Sequence, residues 1–282
     1  MAAAVQAIRP RDQQRVCEGG IVGKSRGRLW SVLLSVAACL GALPAMGAEC
    51  STAASDIATD RPDVTNSSIV VPVGSLQSEN GINLTSAQGA KIIDGTNSRL
   101  RLGIAPCLEI LVDLPTYFGA VRGQASSGFS NVAPAVKWQI SPWPGKLDLS
   151  ATFGVGLPTG ATGIAGTGVQ PYVQFPWSYE LGGGWSVTGM ATTFAHPAEP
   201  ARPVTQQATF VIERAIGRGD VFVEYVGDFL APAGPSHLIN TGAAYRITPR
   251  QQIDFHVGFG LNSNAPAYFF GVGYSFRLDG LF

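Results

Sequence analysis

Three histidines are the side chains of this 282-residue chain best suited to acid–base or nucleophilic chemistry. His196 lies in a proline-rich stretch, His237 at the end of a predicted strand, and His256 in the middle of another. None has a Ser or Asp at a spacing that marks a catalytic triad, although triads are defined by geometry and not by sequence order. We therefore assign no catalytic residue and predict that the protein is not an enzyme. A lipid hydrolase is kept as the alternative.

Two further residues with reactive side chains, Cys50 and Cys107, remain if the chain is cleaved before Glu49. An even pair of cysteines in an oxidising compartment favours a disulfide. Two unpaired buried thiols are the alternative. The sequence contains no CxxC motif and no Cys/His cluster, so we expect no metal site and no cofactor.

Export is predicted from the N-terminus. Residues 24–28 are basic, residues 29–43 are apolar, and small residues precede Glu49, which together are typical of a cleaved signal peptide over residues 1–48. The polar stretch before it is long, so translation starting near Val22 is an open alternative. A lipoprotein signal ending at Cys39 and an uncleaved anchor helix are further alternatives, but the apolar run continues past Cys39.

The composition limits the class of protein. Lys and Arg together number 19, as do Asp and Glu, so net charge gives no basis for a nucleic-acid partner. Because 45% of residues are hydrophobic and only 13% are charged, the chain is too apolar to be disordered. After residue 50, no stretch approaches the roughly 20 apolar residues of a spanning helix. The mature chain is therefore expected to cross a membrane, if it does so, as strands.

The dominant pattern of the mature chain is an alternation of apolar and polar residues with a period of two. In residues 252–262, Ile253 and Phe255 fall on one face and Asp254 and His256 on the other. A period of two is that of a β-strand. The polar face is mostly Gly, Ser, Thr, Asn and Gln, with sparse charges, whereas a soluble sandwich usually exposes many Lys, Glu and Arg. The alternation therefore favours a wall with lipid outside and water inside.

The segments that alternate predict an all-β fold: a transmembrane up-and-down antiparallel β-barrel of about twelve strands, after an N-terminal signal peptide. We place the strands near residues 75–86, 96–105, 107–115, 129–140, 146–157, 167–180, 184–195, 204–215, 219–230, 236–247, 251–262 and 267–278. The longer connections are residues 88–95, 117–128, 158–166 and 196–203, and the shorter are 106, 141–145, 182–184, 217–219 and 248–250. Short turns belong on the periplasmic side of such a barrel, which places Cys107 on the same side as Cys50.

Charged residues on the polar faces are candidates for lining the lumen. They are Arg99, Arg101, Glu109, Asp113, Lys137, Asp148, Glu213, Glu224, Asp228, Arg246, Asp254, His256 and Arg277. Their mixed signs suggest a permeation path with little preference for ionic sign. The alternative, which we favour for most of them, is that they pair across a narrow lumen and stiffen the barrel.

The N-terminal residues 49–68 are expected to form a periplasmic segment ahead of the barrel, which would occupy residues 69–282. Asp60, Arg61 and Asp63 lie in this segment. We expect the segment to fold back into or across the periplasmic mouth as a plug tethered by Cys50 and Cys107, with Arg61 meeting a lumen carboxylate. A disordered periplasmic tail is the alternative.

The end of the chain has the pattern of a final barrel strand. Aromatic residues and glycines alternate up to the terminal Phe282, although Asp279 and Gly280 interrupt the alternation. A terminal strand of this kind predicts outer-membrane lipid and the barrel-assembly machinery as partners.

Three short motifs resemble a known family. They are Thr59-Asp60-Arg61-Pro62-Asp63, Leu157-Pro158-Thr159-Gly160 and Val169-Gln170-Pro171-Tyr172. The chain from residue 56 onward is similar to a family of outer-membrane proteins named for the meta-cleavage pathway of phenol degradation. The resemblance implies a barrel that moves small, poorly polar compounds, and it supplies no catalytic or ligand residues.

Together these patterns predict an outer-membrane channel or transporter of a Gram-negative bacterium, for small and aromatic or hydrophobic solutes. The alternatives are a barrel enzyme that hydrolyses lipids and a purely structural barrel. The sequence names no particular solute, no direction of transport and no oligomeric state.

Overall fold

The structure, a computed structural model, describes residue 50 and residues 56–140, 146–196, 203–230 and 234–282. The predicted signal peptide therefore lies outside the described residues. Within them, no helix is long and apolar enough to cross a membrane.

Fourteen strand segments and one short helix make up the described fold. The strands are β1 (Leu76–Ala87), β2 (Ala90–Ala105), β3 (Leu108–Asp113), β4 (Tyr117–Arg122), β5 (Gly128–Phe129), β6 (Ala133–Gln139), β7 (Leu147–Gly156), β8 (Gln170–Gly182), β9 (Trp185–Ala195), β10 (Val204–Ile216), β11 (Gly219–Leu230), β12 (Gly234–Thr248), β13 (Gln251–Gly260) and β14 (Tyr268–Leu278); the helix is α1 (Thr162–Ala165).

The fourteen segments close into one antiparallel barrel of twelve strands, the number that the sequence predicts. From β6 to β14, each strand pairs with the next along the chain, and β1 closes the ring by pairing with both β2 and β14. Two of the twelve barrel strands are each divided into two segments. Both β3 and β4 pair with β2, so together they form one strand of the barrel. In the same way, β5 pairs with β4 and β6 pairs with β3, so β5 and β6 together form the next strand.

The period of two separates the two faces of the wall. In β13, Ile253 and Phe255 are 45% and 56% exposed on the outside, whereas Asp254 is 5% exposed inside. The strands are therefore built as the sequence predicts, with an apolar outer surface suited to lipid and a polar interior.

The two ends of the barrel differ. We call the end that holds the turns Pro106–Cys107 and Pro249–Arg250, where the chain also enters and leaves, the terminal end. The opposite end, which holds the turn Gln88–Gly89 and residues 157–169, is the loop end.

Two predicted boundaries are wrong. Residues 88–95 form no long loop, because β1 and β2 continue to a two-residue turn at Gln88–Gly89. Residues 117–122 are strand β4 and not part of a loop. The last strand, β14, ends at Leu278, in agreement with the predicted segment 267–278. Asp279 pairs with Arg277 at 2.7 Å, and Phe282 is 73% exposed beyond the strand.

The wrong boundaries at residues 88–95 and 117–122, both at the loop end, have a physical cause. Ile92 and Phe118 point inward and pack with Ile164 of α1, all three at most 3% exposed. Apolar residues therefore occupy both faces of the wall here, and the alternation that marks a lipid-facing strand is lost.

Candidate functional site: the lumen and the segment that fills it

Residues 56–75 run through the inside of the barrel, and we call them the lumen segment. It enters at the terminal end, where the Ile57 amide donates to the Pro249 carbonyl at 2.7 Å. It leaves beside β2, where the Gly74 amide donates to the Gly103 carbonyl at 2.9 Å. Since β1 begins at Leu76, the segment continues past residue 68, where the sequence analysis placed its end. Its buried backbone groups must find partners on the barrel wall.

Asp60 is the most highly connected carboxylate of the lumen segment. Its two oxygens lie 2.8 Å from Arg99, 3.3 Å from Arg101 and 3.2 Å from Lys137. Its own amide donates to Glu79 at 2.9 Å. Burial alone would raise the pKa of Asp60, but Arg101, Lys137 and Arg99 outweigh it and hold that pKa well below its usual range.

The wall residues around Asp60 form a closed network of charges. Arg101 also pairs with Glu79 at 3.1 Å and with Glu109 at 3.0 Å. Lys137 pairs with Glu109 at 3.4 Å. Because the side chains of Arg101, Glu109 and Lys137 are fully enclosed, removing one partner would leave an uncompensated buried charge.

Arg99 extends this network toward the loop end. It binds Asp113 through two hydrogen bonds, of 2.6 and 2.9 Å, while its third donor reaches Asp60. The network therefore joins the lumen segment to β1, β2, β3 and β6.

Glu224 holds the middle of the lumen segment from the opposite wall. Its carboxylate accepts hydrogen bonds from the amides of Val64 and Thr65, both at 2.9 Å, and from the Thr65 hydroxyl at 2.8 Å. Asn240 donates to the same carboxylate at 2.9 Å. A single wall residue thus satisfies two backbone donors inside the barrel.

Arg61 occupies a socket made by two glycines. Gly81 of β1 and Gly273 of β14 are paired across the seam that closes the barrel. A Cβ at Gly81 would lie 2.3 Å from the Arg61 guanidinium, and one at Gly273 would lie 2.5 Å from its Nε. Arg61 also pairs with Asp254, a carboxylate of the lumen wall, at 3.2 Å.

The second half of the lumen segment follows the wall back to the terminal end. Asn66 donates to Gln174 at 3.0 Å, and the Ser68 hydroxyl lies 2.9 Å from that of Ser178. The Val70 amide then donates to Gln139 at 3.1 Å. The segment is therefore held by the wall along its whole described length.

The lumen segment divides the interior into two cavities. The loop-end cavity, about 380 Å³, is lined by aromatic and polar residues that include Phe118, Tyr172 and Phe194. The terminal-end cavity, of about 330 Å³, has five acidic residues and two arginines in its lining, the same numbers as the loop-end cavity. Arg61, Asp63 and neighbouring segment residues line both cavities, so the segment is the partition between them.

Asp63 lines both cavities and lies near other carboxylates. Burial raises its pKa well above the usual range, and the nearby carboxylates of Glu224 and Glu213 raise it further. Asp60 and Asp63, three residues apart, thus experience opposite fields.

A disulfide joins Cys50 to Cys107 in the turn between β2 and β3, at the terminal end. The lumen segment is consequently anchored on both sides, by this bond before residue 56 and by its continuation into β1.

The remaining lumen candidates fall into separate groups. Asp148, Glu213 and Arg246 line the terminal-end cavity, with Arg246 paired to Asp220 at 2.6 Å. Asp228 accepts from Gln207 at 2.8 Å, and Arg277 donates to the Asp56 carbonyl at 3.1 Å.

The three histidines lie apart and have different partners. The ring nitrogens lie 3.1 Å from Asn83 for His256, 2.7 Å from Thr205 for His196, and 2.7 Å from Tyr225 for His237. No described contact gives them the nucleophile-and-carboxylate arrangement of a hydrolase.

Sequence reasoning missed Glu79 and an apolar group in the lumen. Glu79 follows Gln77 and precedes Gly81 with a period of two, which was a usable signal. Val226, Leu238 and Phe269 cluster inside the barrel and pack against Val64 of the lumen segment. The expectation that the barrel interior is polar does not predict these residues, because their apolar partner belongs to the lumen segment and not to the wall.

A closed antiparallel barrel with an apolar outer belt and a polar interior defines the outer-membrane β-barrel class. The chain belongs to the family described as "Putative MetA-pathway of phenol degradation", whose model matches residues 59–278. No curated protein matches the chain.

Two solved structures are similar in fold. An outer-membrane channel from Pseudomonas putida superposes with a TM-score of 0.58 at 13% identity, covering 77% of this chain and 100% of that one. The NanC porin superposes with a TM-score of 0.52 at 9% identity, covering 72% of this chain and 100% of that one.

Proposed function

We propose that the protein is an outer-membrane channel for small, poorly polar solutes, and that the lumen segment is its plug. The observation that carries the proposal is the pair of cavities inside a lipid-facing barrel, one toward each end, with residues of the lumen segment in the lining of both. The family, named for a pathway of phenol degradation, and the two structures of similar fold, a channel and a porin, support the same class.

The lining of the loop-end cavity supports small aromatic solutes as the first class to test. Phe118, Phe194 and Phe269 share this cavity with Tyr172 and Met190. Aromatic rings bind other rings by stacking and edge contacts. The amides and hydroxyls of the same cavity would orient a polar substituent.

The proposal treats the protein as a channel and not as a hydrolase. The separate partners of His196, His237 and His256 favour this choice over the enzyme alternative. A lipase or deacylase assay on the refolded protein provides the test, and hydrolysis above that of a His256→Ala variant would reinstate the enzyme.

Export and assembly complete the proposal. We propose that residues 1–48 are removed as a signal peptide and that the assembly machinery recognises the C-terminal strand. N-terminal sequencing of protein purified from the membrane is expected to begin at Glu49.

The function is tested by purification from outer membranes, followed by liposome swelling. We expect the protein in the outer-membrane fraction, and faster entry of small aromatic alcohols than of sugars of similar size. Recovery in the periplasm would overturn the location, and entry of neither solute, with or without the plug, would overturn the channel.

A further inference from the structure

The charges of the lumen are sorted in space, although they balance along the chain. Four cations of the interior, Arg61, Arg99, Arg101 and Lys137, each lie within 3.4 Å of at least one carboxylate. Three of the four converge on Asp60. Asp60 of the plug and carboxylates of the wall therefore already neutralise the positive charge that a permeating anion would need.

The terminal-end cavity keeps an excess of carboxylates. Asp63, Asp148, Glu180, Glu213 and Asp220 line it, against Arg61 and Arg246. Both of these arginines are already paired, Arg61 with Asp254 at 3.2 Å and Arg246 with Asp220 at 2.6 Å. In the described part of the chain, no cation lies within ion-pair distance of Glu180 or Glu213.

The loop-end cavity has an independent feature of the same sign. Asp94 lines its wall and is only 3% exposed. One of its oxygens accepts from Asn83 at 2.9 Å and from Asn97 at 2.5 Å, whereas the other has no hydrogen-bond partner among the described residues. A buried carboxylate oxygen of this kind is satisfied by a cation or by a donor on a ligand.

From this sorting we infer that the permeation path selects by charge, admitting neutral and cationic small solutes and rejecting anions such as aromatic carboxylates. Glu180 and Glu213 in the terminal-end cavity and Asp94 in the loop-end cavity determine the selection. Charges that line a narrow path in a low-dielectric wall focus their field along it, so a few carboxylates suffice to repel anions. The inference rests on the proposed channel function and replaces the expectation of a path with little preference for ionic sign.

The test is the reversal potential of the full-length protein in a planar bilayer under a KCl gradient. We expect the sign that corresponds to K⁺ permeating faster than Cl⁻. The E180Q/E213Q double variant should shift the potential toward zero, and so should D94N. The control, D279N, alters a carboxylate that lies beyond the end of β14 and lines neither cavity, and it should leave the potential unchanged.

A second measurement needs no variant. Liposomes that contain the wild-type channel should admit benzylamine and benzyl alcohol several-fold faster than benzoate. Conductance with a zero or anion-directed reversal potential would overturn the inference and leave the channel function standing. A cation-directed potential unchanged in all acidic variants would overturn the assignment to these residues. Absence of conductance even without the plug would instead overturn the channel function itself.

Discussion

The carboxylate of Asp60 lies 3.2 Å from the ammonium group of Lys137, and both side chains are enclosed inside the barrel. The two residues are 77 positions apart in sequence. Asp60 belongs to the lumen segment and Lys137 to the wall. Their ion pair therefore forms only when the segment is docked inside the barrel.

Removing the charge of Asp60 should release the plug. Asp60→Asn leaves Arg101 and Lys137 with less compensation, and breaking a buried pair costs about 3–5 kcal/mol. Since about 1.4 kcal/mol is a tenfold change in an equilibrium, the undocked population should rise about a hundredfold or more. Single-channel recording should show longer or more frequent open events.

Asp63→Asn is the matched variant and should act in the opposite direction. The pKa of Asp63 is raised on docking, so its charged form opposes docking as pH rises toward that pKa. Neutralising it should leave the plug docked or tighten it at neutral pH. An equal rise in open events in both variants would show that neither carboxylate acts by its charge.

Acid should loosen the plug through Asp60. Its pKa is lowered on docking, so it stabilises docking above its ordinary pKa of 3.8, and this stabilisation is lost as pH falls below that value. Recording between pH 7 and pH 3 should show more open events only toward the acidic limit. Asp60→Asn should abolish that part of the dependence.

The glycine socket predicts a specific coupling between the plug and the barrel seam. Gly81→Ala should displace the Arg61 guanidinium, which lies 2.3 Å from the position of the new Cβ. Open events should therefore increase. In an Arg61→Ala background the same substitution should have little further effect, because residues in contact are coupled. Additive effects of the two changes would argue against the socket.

If the apolar outer surface faces lipid, a charged substitution there should lower the free energy of unfolding most at the middle of the membrane. Phe255 is paired with Val272 at mid-strand and is 56% exposed, whereas Ile216 is 59% exposed beside the turn at Gly217. Phe255→Arg should destabilise the barrel by about 2–4 kcal/mol, and Ile216→Arg by about 0–1 kcal/mol. Urea unfolding in lipid vesicles provides the measurement, and equal costs would contradict the membrane-spanning orientation.

The barrel was largely predictable because lipid imposes a period of two wherever the inner face is polar. This rule holds in β13, where Ile253 and Phe255 face outward and Asp254 and His256 face inward. Counting the segments that alternate in this way gave the twelve strands of the barrel. The rule fails near Ile92 and Phe118, whose inward side chains are apolar because α1 packs over them.

The lumen was less predictable, since its contacts join residues far apart in sequence. The charge and position of Asp60 and Arg61 suggested a plug, and the short turn at Pro106 placed Cys107 near Cys50. The clamp on Val64 and Thr65 by Glu224 carries no local signal, because it spans 160 and 159 positions of sequence. Only the folded chain shows which wall carboxylate meets which part of the segment.

The central claim, that the N-terminal segment occludes a channel, is tested most directly by single-channel conductance of a chain lacking residues 50–66. This deletion removes Asp60, Arg61 and Val64, and with them the partition between the two cavities. We predict small, intermittent conductance for the full-length protein and a larger, steady conductance for the truncated one. Equal conductance of the two proteins would contradict the account.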